Sequence, residues 1–353
     1  MVKMEPDSHR YGFDRLLELY STDLEQLRAL ALAEREARYG RAIFFNRNFH
    51  IEPSNICIHR CKFCSYRRDN EEQSGAWSMS LEQIREYCLK KYSKGITEVH
   101  IVGSVHPERD LDYYISIISM VKGLLPKEVS IKAYSAVEID DMSISSGLNS
   151  EQVLTRLKEA GLDALPGGGA EIFDNSIRMQ ICPDKASAER YLEIHRTAHK
   201  LGIPTNCTML FGHIESREQR VAHMLKLREL QDGTGGFNAF IPLKYSCANN
   251  SLSEIGEVSQ EEILRTIAIS RLALDNIPHI KAYWPMLGKK TGILAMEYGA
   301  DDMDGTIENS TKIYSMAGAE EQQPRLTVDE LRELASAYGF HIKERDSFYR
   351  IIS

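Results

Sequence analysis

The sequence has no apolar run long enough to cross a membrane. A bilayer span needs roughly 18 consecutive apolar residues, and no segment approaches that length. The N-terminal residues, MVKMEPDSHRYGF, also lack the apolar segment of a secretory signal peptide. We therefore expect a soluble, cytoplasmic protein without a membrane partner.

An excess of positive charge is missing as well. The 43 lysines and arginines are outnumbered by 51 aspartates and glutamates, and the net charge of −8 disfavours a nucleic-acid partner recognised by charge. Cysteines are few and odd in number, seven in 353 residues, which is not the disulfide framework of a secreted protein. The four that stand apart are expected to be buried, unreactive thiols: Cys88, Cys182, Cys207 and Cys247.

No linker rich in Pro, Gly or Ser divides the chain, and hydrophobic residues make up 42% of it, enough for a large core. Short β-type runs alternate with amphipathic helical stretches, which predicts parallel strands joined by crossover helices. The number of units favours an α/β fold of the (β/α)8-type TIM barrel class. We expect an N-terminal helical lead-in over residues 1–45 and the barrel domain, with a C-terminal extension, over 46–353. The predicted strands are 49–56, 98–103, 129–135, 162–166, 204–211, 236–242, 279–284 and a weak eighth near 301–306.

Helix boundaries are marked by capping residues. Four pairs have the spacing of a capping box, in which an N-cap side chain and a residue three positions on bond each other's backbone: Ser80/Gln83, Ser216/Gln219, Ser259/Glu262 and Thr327/Glu330. Glycines predict helix ends at Gly161, Gly202 and Gly339. Because parallel barrels place their chemistry on the loops after the strands, residues just past each strand are the candidates for function.

Three cysteines follow the first predicted strand directly. Cys57, Cys61 and Cys64 have the spacing C-x3-C-x2-C. Thiolates are the ligands of iron–sulfur clusters, and three of them leave one iron of a four-iron cluster open to a small molecule with an amine and a carboxylate. The alternative is a structural zinc with His59 or a distant cysteine as fourth ligand, although zinc usually uses paired C-x2-C units and only one is present. Three inert thiols are a further alternative.

This loop, with Phe63 before its last cysteine, resembles the signature of the radical S-adenosylmethionine (SAM) superfamily. The resemblance implies the barrel of that superfamily and a [4Fe–4S] cluster whose open iron chelates SAM. It also implies a reductant such as flavodoxin or ferredoxin, whose electron cleaves SAM to methionine and a 5′-deoxyadenosyl radical.

Polar and glycine residues follow the next predicted strands. Gly103 and Ser104 stand where the superfamily often has a Gly-Gly-Glu-like turn, and a glycine there lets the backbone approach a ligand. Glu138 and Glu171 follow the third and fourth strands, placed to accept hydrogen bonds from a ribose or an ammonium group. A solvated loop glutamate is the alternative for each. The run of three glycines before Glu171 lacks the spacings of a nucleotide-phosphate loop.

A closer resemblance rests on several segments in order. FNRNFHIEPSNICIHRCKFC, IKAYSAVEI, LPGGGAEIF, GGFNAFIPL, LDNIPHIKAYW and GADDMDGT together are similar to aminofutalosine synthases of the futalosine route to menaquinone. The similarity covers the chain from about residue 44 to its end. Two places depart from the pattern: Gly103-Ser104 replaces a Gly-Gly pair, and residues 244–250 (KYSCANN) differ from the typical loop after the sixth strand. The related dehypoxanthine futalosine cyclases share the cysteine loop and PGGGAEI.

The resemblance implies a transferase with SAM as a consumed co-substrate. Such an enzyme joins the adenosyl group to the small molecule 3-[(1-carboxyvinyl)oxy]benzoate, releases methionine and bicarbonate, and forms aminodeoxyfutalosine. Its adenosyl radical adds to the vinyl ether carbon instead of abstracting hydrogen. The alternatives are the cyclase or another hydrogen-abstracting radical SAM enzyme and, outside the enzymes, a barrel with a structural zinc.

Roles for individual residues follow from this resemblance. Cys57, Cys61 and Cys64 would hold the cluster. Residues expected to bind the cofactor are Tyr66, Gly103, Ser104, Ser135, Glu138, Glu171 and Arg178. Those expected to bind substrate are His50, His106 and Trp284, and those expected to act in catalysis are Arg67, Tyr134 and His213.

Overall fold

The computed structural model describes residues 10–306, 308 and 310–352. The strands in this part of the chain are β1 (Ala42–Asn46), β2 (Asn48–Ile51), β3 (Glu98–Ile101), β4 (Ser130–Ala133), β5 (Thr205–Phe211), β6 (Phe237–Lys244), β7 (His279–Ile280), β8 (Asp302–Gly305) and β9 (His341–Glu344). The α-helices are α1 (Phe13–Leu19), α2 (Leu24–Tyr39), α3 (Leu81–Lys91), α4 (Leu111–Leu124), α5 (Ala136–Ser146), α6 (Ser150–Ala160), α7 (Asn175–Ile181), α8 (Ala188–Lys200), α9 (Arg217–Thr234), α10 (Gln260–Ala273), α11 (Trp284–Leu287), α12 (Lys289–Leu294), α13 (Ile313–Met316) and α14 (Val328–Ala337). Short 3-10 helices cover Ser253–Ile255 and Ala295–Tyr298.

The described strands form three parallel three-stranded sheets, in the orders β8-β1-β9, β2-β3-β4 and β5-β6-β7. Isolated parallel bridges connect them: Lys132 with Ala164, Leu165 with Thr205, and Lys281 with Asp302. The predicted α/β class with parallel strands is confirmed. A continuous eight-stranded TIM barrel is not confirmed, because the fourth predicted strand (162–166) contributes only isolated bridges between neighbouring sheets.

Two of the described strands, β1 and β9, were not predicted. β1 falls mostly within the predicted helical lead-in. The predicted strand 49–56 corresponds to β2, which ends at Ile51, well short of residue 56. β9 follows the last helix and pairs in parallel with β1, with Ala42 opposite His341 and Phe45 opposite Glu344. Its residues, HIKE, carry one apolar side chain, so no apolar pattern marks the strand in the sequence. The division at residue 45/46 stays a prediction.

Capping residues set the helix boundaries as predicted. Complete capping boxes begin α3 at Ser80, α9 at Ser216 and α14 at Thr327. At α10 the Ser259 side chain accepts a hydrogen bond from the Glu262 backbone, which satisfies one of the free N–H groups of the first turn. The caps therefore set where the preceding loops end, and some of these loops carry candidate site residues.

The core lies between the strands and the helices that cover them. Every residue of β5 is buried, as expected for a parallel strand covered on both faces. On the outer layer, α6 buries Val153, Leu154 and Leu157 as one apolar stripe. Among the described residues, no helix has the length and apolarity that crossing a membrane requires.

Candidate active site

A cavity of about 280 Å³ is lined by residues of several strands and of the loops that follow them. All three cysteines of the C-x3-C-x2-C loop line it, and so do residues from β2, β3, β4 and β6. Eleven residues with predicted roles line this cavity: His50, Cys57, Cys61, Cys64, Tyr66, Arg67, Gly103, Ser104, Ser135, Glu138 and Glu171. The fold thus brings together residues from distant parts of the chain.

The cysteine loop is held by backbone hydrogen bonds. Cys57 N donates to the carbonyl of Arg68 at 3.1 Å, and Lys62 N donates to that of Ile181 at 2.8 Å. Arg67 Nε donates to the Cys57 carbonyl at 3.1 Å. These bonds fix the loop between the end of β2 and helix α7 without using any thiol, so the sulfur atoms are left for a ligand.

The donor set fits a [4Fe–4S] cluster. All three cysteines are free and partly exposed to the cavity. Burial raises the pKa of the Cys61 thiol to about 12 and also raises that of Cys57, so both need a bound cation to become thiolates. In the described chain, no three His, Cys, Asp or Glu side chains are grouped to hold a single metal ion. A cubane cluster takes one thiolate on each of three irons, and therefore does not require three sulfurs around one ion.

Gly103 and Ser104 connect the turn after β3 to the base of the cysteine loop. Ser104 Oγ donates to the carbonyls of Ser54 and Ile56, at 3.0 and 2.6 Å. A Cβ on Gly103 would lie 3.0 Å from the Ser54 carbonyl oxygen, so the close approach of the two segments favours glycine. Tyr66 reaches the same segment, with its hydroxyl donating to the Ser54 carbonyl at 3.2 Å. The side chains of Ser104 and Tyr66 therefore support the loop.

Ser135 and Glu138 form the capping box of α5. The Glu138 Oε2 atom accepts from Ser135 N and Ser135 Oγ, both at 2.7 Å. Burial raises the pKa of the Glu138 carboxyl to about 7, although the hydrogen bonds from Ser135 and from the Gly103 backbone work in the opposite direction. A cavity-lining carboxyl group with such a pKa changes its charge near neutral pH.

Glu171 has a partner that sequence reasoning missed. Lys185 Nζ lies 2.6 Å from Glu171 Oε1, and the same ammonium sits 5.4 Å from the centre of the Phe63 ring in the cysteine loop. Both residues line the cavity. Lys185 stands in the loop between α7 and α8, away from any strand end, and the sequence carries no signal that singles it out.

The part of the cavity that strand residues line holds polar and charged side chains that were also missed. His100, Lys132, Lys281 and Asp304 line the cavity together with the predicted His50, and we name these five residues the floor layer. A signal was present in the sequence: VSIKAYS and HIKAYW each place a lysine inside an apolar β-type run. A lysine buried in a strand is uncommon and needs a partner.

Three predicted residues lie away from this cavity. Tyr134 is buried with its hydroxyl donating to the Tyr114 carbonyl at 2.8 Å, and the Trp284 indole N–H donates to the Gly305 carbonyl at 2.8 Å. His106 lines a separate, smaller cavity. Both aromatic residues lie just past the regular strand positions, Tyr134 directly after β4 and Trp284 at the start of α11, so strand alternation does not predict which way they face.

Arg178 and His213 also lie outside the cavity lining. The buried Arg178 guanidinium donates to the carbonyls of Ala170 and Ile172, at 2.6 and 3.2 Å, and to that of Ala186. It therefore holds the loop before Glu171 in shape. His213 donates from Nε2 to the Leu210 carbonyl at 3.2 Å, and its Nδ1 lies 3.0 Å from a Glu215 carboxylate oxygen.

Comparison with known proteins identifies the family. Residues 51–227 match the radical SAM superfamily, and residues 234–353 match the CofH/MqnC C-terminal region. The chain belongs to the radical SAM superfamily. The cofactors of this superfamily are a [4Fe–4S] cluster and SAM, which decides against the structural zinc.

Several relatives match over most of their length. An aminodeoxyfutalosine synthase of Thermus thermophilus is 42% identical over 98% of this chain and 93% of its own. A 5-amino-6-(D-ribitylamino)uracil–L-tyrosine 4-hydroxyphenyl transferase of Methanopyrus kandleri is 37% identical, covering 90% and 87%. A cyclic dehypoxanthine futalosine synthase of Streptomyces coelicolor is 36% identical, covering 90% and 80%.

The fold has a counterpart among solved structures. The crystal structure of methylornithine synthase superposes with a TM-score of 0.76 and covers 95% of both chains, at 17% sequence identity. This likeness concerns the fold alone, and supports the radical SAM architecture of the chain.

Proposed function

We propose that the chain is an aminodeoxyfutalosine synthase that joins the adenosyl group of SAM to 3-[(1-carboxyvinyl)oxy]benzoate, takes up one water, and releases methionine, bicarbonate and a proton. The observation that carries this proposal is the 42% identity to a synthase over 98% of the chain. The cavity supports it independently, because cysteines line one part of it and a layer with two lysines lines another. A dicarboxylate substrate beside a cluster needs both.

In this proposal the cysteines hold the cluster, and five cavity residues hold SAM: Gly103, Ser104, Ser135, Glu138 and Glu171. When bound, the cluster and SAM supply a 5′-deoxyadenosyl radical that adds to the vinyl ether carbon. Glu138 and Glu171 offer carboxylate oxygens to the hydroxyl and ammonium groups of SAM. Lys185 neutralises Glu171 and leaves it a second oxygen for the ligand.

The remaining walls keep water from the reacting atoms. Ile241 and Leu243 of β6, Val102 and Tyr314 line the cavity with apolar surface. A radical needs such a lining, because neighbouring polar groups and water would divert it to other products. Arg67, which lines the cavity and bonds the Cys57 carbonyl, is proposed to contact the carboxylate nearer the cluster.

An external reductant such as flavodoxin or ferredoxin belongs to the same proposal. A second, open groove beside Cys61 and Cys64 is lined by Arg60 and Arg67, and the Arg60 side chain is 76% exposed. The exposed Arg60, at the outer side of the cluster loop, offers positive charge to an acidic electron donor.

The test is mass spectrometry of an anaerobic turnover with reconstituted protein, dithionite, SAM and 3-[(1-carboxyvinyl)oxy]benzoate. We expect a product that carries the whole adenosyl group, and we expect it to be absent with Cys61→Ala. A matched reaction with Cys247→Ala, which changes a cysteine outside the loop, should retain the product.

Other outcomes identify other activities. Free 5′-deoxyadenosine with unchanged substrate would exclude the synthase and favour a hydrogen-abstracting enzyme such as the cyclase. Turnover only with L-tyrosine and 5-amino-6-(D-ribitylamino)uracil would favour the reaction named for the archaeal relatives.

A further inference from the structure

The floor layer is built by the register of three neighbouring strands. His50 on β2 pairs with His100 on β3, and His100 pairs with Lys132 on β4. Since paired residues on adjacent strands project to the same face, the three side chains stand side by side. All three line the cavity.

Two further residues complete the layer from the other side of the ring. Lys281 follows β7 and forms an ion pair with Asp304 of β8, and Lys132 pairs with Glu98. Both lysines are buried, with 4% of Lys132 and 1% of Lys281 exposed. An ammonium group has three N–H donors, and among the described residues each of these two contacts one carboxylate. Donors therefore remain for a ligand.

The two histidines have unused hydrogen-bonding atoms. None of the described residues bonds the Nδ1 or Nε2 of His50 or the Nε2 of His100, although His50 is only 2% exposed. The rings meet edge to face, with centroids 4.7 Å apart. Buried polar atoms without partners are rare in native proteins. Here they border a cavity, where a bound polar ligand would supply the partner.

Burial lowers the pKa of His50 to about 4, and burial also lowers the pKa of His100 well below its ordinary value. Both rings are therefore neutral in the ligand-free protein, and each carries one N–H donor. The two lysines offer their remaining ammonium donors to an anion, beside the carboxylates of Glu98 and Asp304 that they already contact, and the histidines add directional hydrogen bonds.

We propose that the floor layer binds the ring carboxylate of the aryl ether substrate, the end of the molecule away from the reacting vinyl carbon. This deepens the proposed function and rests on it. The reacting carbon must face SAM at the cysteine loop, and His50 precedes Cys57 by seven residues on the strand that leads into that loop. The ring carboxylate then lies deep in the cavity, next to the two ammonium groups.

The test measures binding as well as turnover. The anaerobic, cluster-loaded protein with SAM is titrated calorimetrically with 3-[(1-carboxyethyl)oxy]benzoate, a saturated analogue that cannot accept the radical. A second titration uses 2-phenoxypropanoate, which lacks only the ring carboxylate. We expect wild type to bind the dicarboxylate at least tenfold more tightly, as loss of a charge-assisted carboxylate contact implies.

Substitutions test whether the floor layer causes the preference for the dicarboxylate over 2-phenoxypropanoate. His50→Leu should lower this preference about tenfold and leave the affinity for 2-phenoxypropanoate unchanged. His50→Gln, which keeps a donor, should retain part of the preference. Since the ring nitrogens of His50 have no hydrogen-bond partner among the described residues, its replacement breaks no side-chain hydrogen bond within the protein. Lys281→Met should lower the preference more strongly, and Lys122→Met, which removes a lysine–aspartate pair outside the cavity, should not change it.

The outcomes separate the two proposals. A wild type without preference for the dicarboxylate, or a preference that neither His50→Leu nor Lys281→Met changes, overturns the floor-layer proposal even if the adenosyl product forms. A preference that these variants abolish, in a protein that makes no adenosyl product, overturns the synthase and keeps a floor that binds aryl carboxylates.

Discussion

The buried carboxyl group of Glu138 makes the stability of the protein depend on pH. Burial raises its pKa to about 7 from an ordinary value of 4.5. The folded protein therefore holds this proton more tightly than the unfolded chain, and the stabilisation is lost as the pH rises from about 4.5 through 7. We predict that Glu138→Gln removes this dependence, so that the difference between variant and wild type changes by up to about 3 kcal/mol across the window.

Urea unfolding of the cluster-free protein at several pH values between 5 and 8 checks this prediction. Burial also raises the pKa of Glu52 to about 7, but that group is present in both proteins and cancels in the comparison. Glu18→Gln is the control, because the Glu18 side chain is 64% exposed. Parallel curves for Glu138→Gln and wild type would show that the carboxyl group titrates normally.

Close packing fixes the position of the loop of three glycines at residues 167–169, between α6 and α7. A Cβ on Gly167 would lie 2.7 Å from backbone atoms of Cys207 on β5, which cannot move aside. A Cβ on Gly168 would meet only the Ser135 side chain, at 3.7 Å, an ordinary contact. We predict that Gly167→Ala destabilises the protein by about 1–3 kcal/mol and that Gly168→Ala changes stability by less than about 1 kcal/mol.

Urea midpoints of the two variants, measured side by side, check the prediction. The comparison is matched because both changes add one methyl group to the same loop. Equal midpoints would mean that β5 does not constrain the loop. Because Glu171 follows directly, Gly167→Ala should also weaken SAM binding if Glu171 contacts SAM as proposed.

Elements with local chemical signals were predicted from the sequence, and those without were not. The capping boxes at Ser80, Ser216 and Thr327 and the cysteine loop could be located because the signal lies within a few residues. β9 could not, because its pairing with β1 joins segments almost 300 positions apart and its own residues are mostly polar. Long-range pairing is a property of the assembled sheet.

The direction in which a side chain points was the second property that could not be predicted from the sequence. Lys132 faces the cavity, whereas Tyr134, two positions on, packs beneath Tyr114 with a φ of 59°. An extended strand would place both on one face, and the left-handed conformation at Tyr134 breaks that alternation. Lys185 was missed for a related reason, since only the folded loop brings it to Glu171.

At the scale of the whole molecule, strand β1 near the start of the chain pairs with strand β9 near its end. β1 is flanked by β8 on one side and β9 on the other. Directly after β9, the fully buried Arg345 donates from Nε to Asp302 Oδ2 on β8 at 2.9 Å. Its Nη2 lies 2.7 Å from the same oxygen as an ion pair, and its guanidinium lies 4.4 Å from the centre of the Tyr349 ring. The C-terminal residues therefore complete the sheet around β1, the strand that precedes β2 and the cysteine loop along the chain.

Removing the Arg345 side chain should disrupt this closure. We predict that Arg345→Met lowers the free energy of unfolding by about 3–5 kcal/mol, because it leaves the Asp302 carboxylate buried without its partner. Arg350→Met is the matched control, because the Arg350 side chain is 74% exposed. Its partner Asp346 is buried but keeps hydrogen bonds from the backbone N–H groups of Phe348 and Arg350, so the loss should cost at most about 1 kcal/mol. Urea unfolding of both variants measures the difference. Equal and small effects would mean that the Arg345–Asp302 pair does not hold the C-terminal segment in place. That segment reaches the floor layer through Ser347, whose hydroxyl donates at 2.6 Å to Glu98, the partner of Lys132.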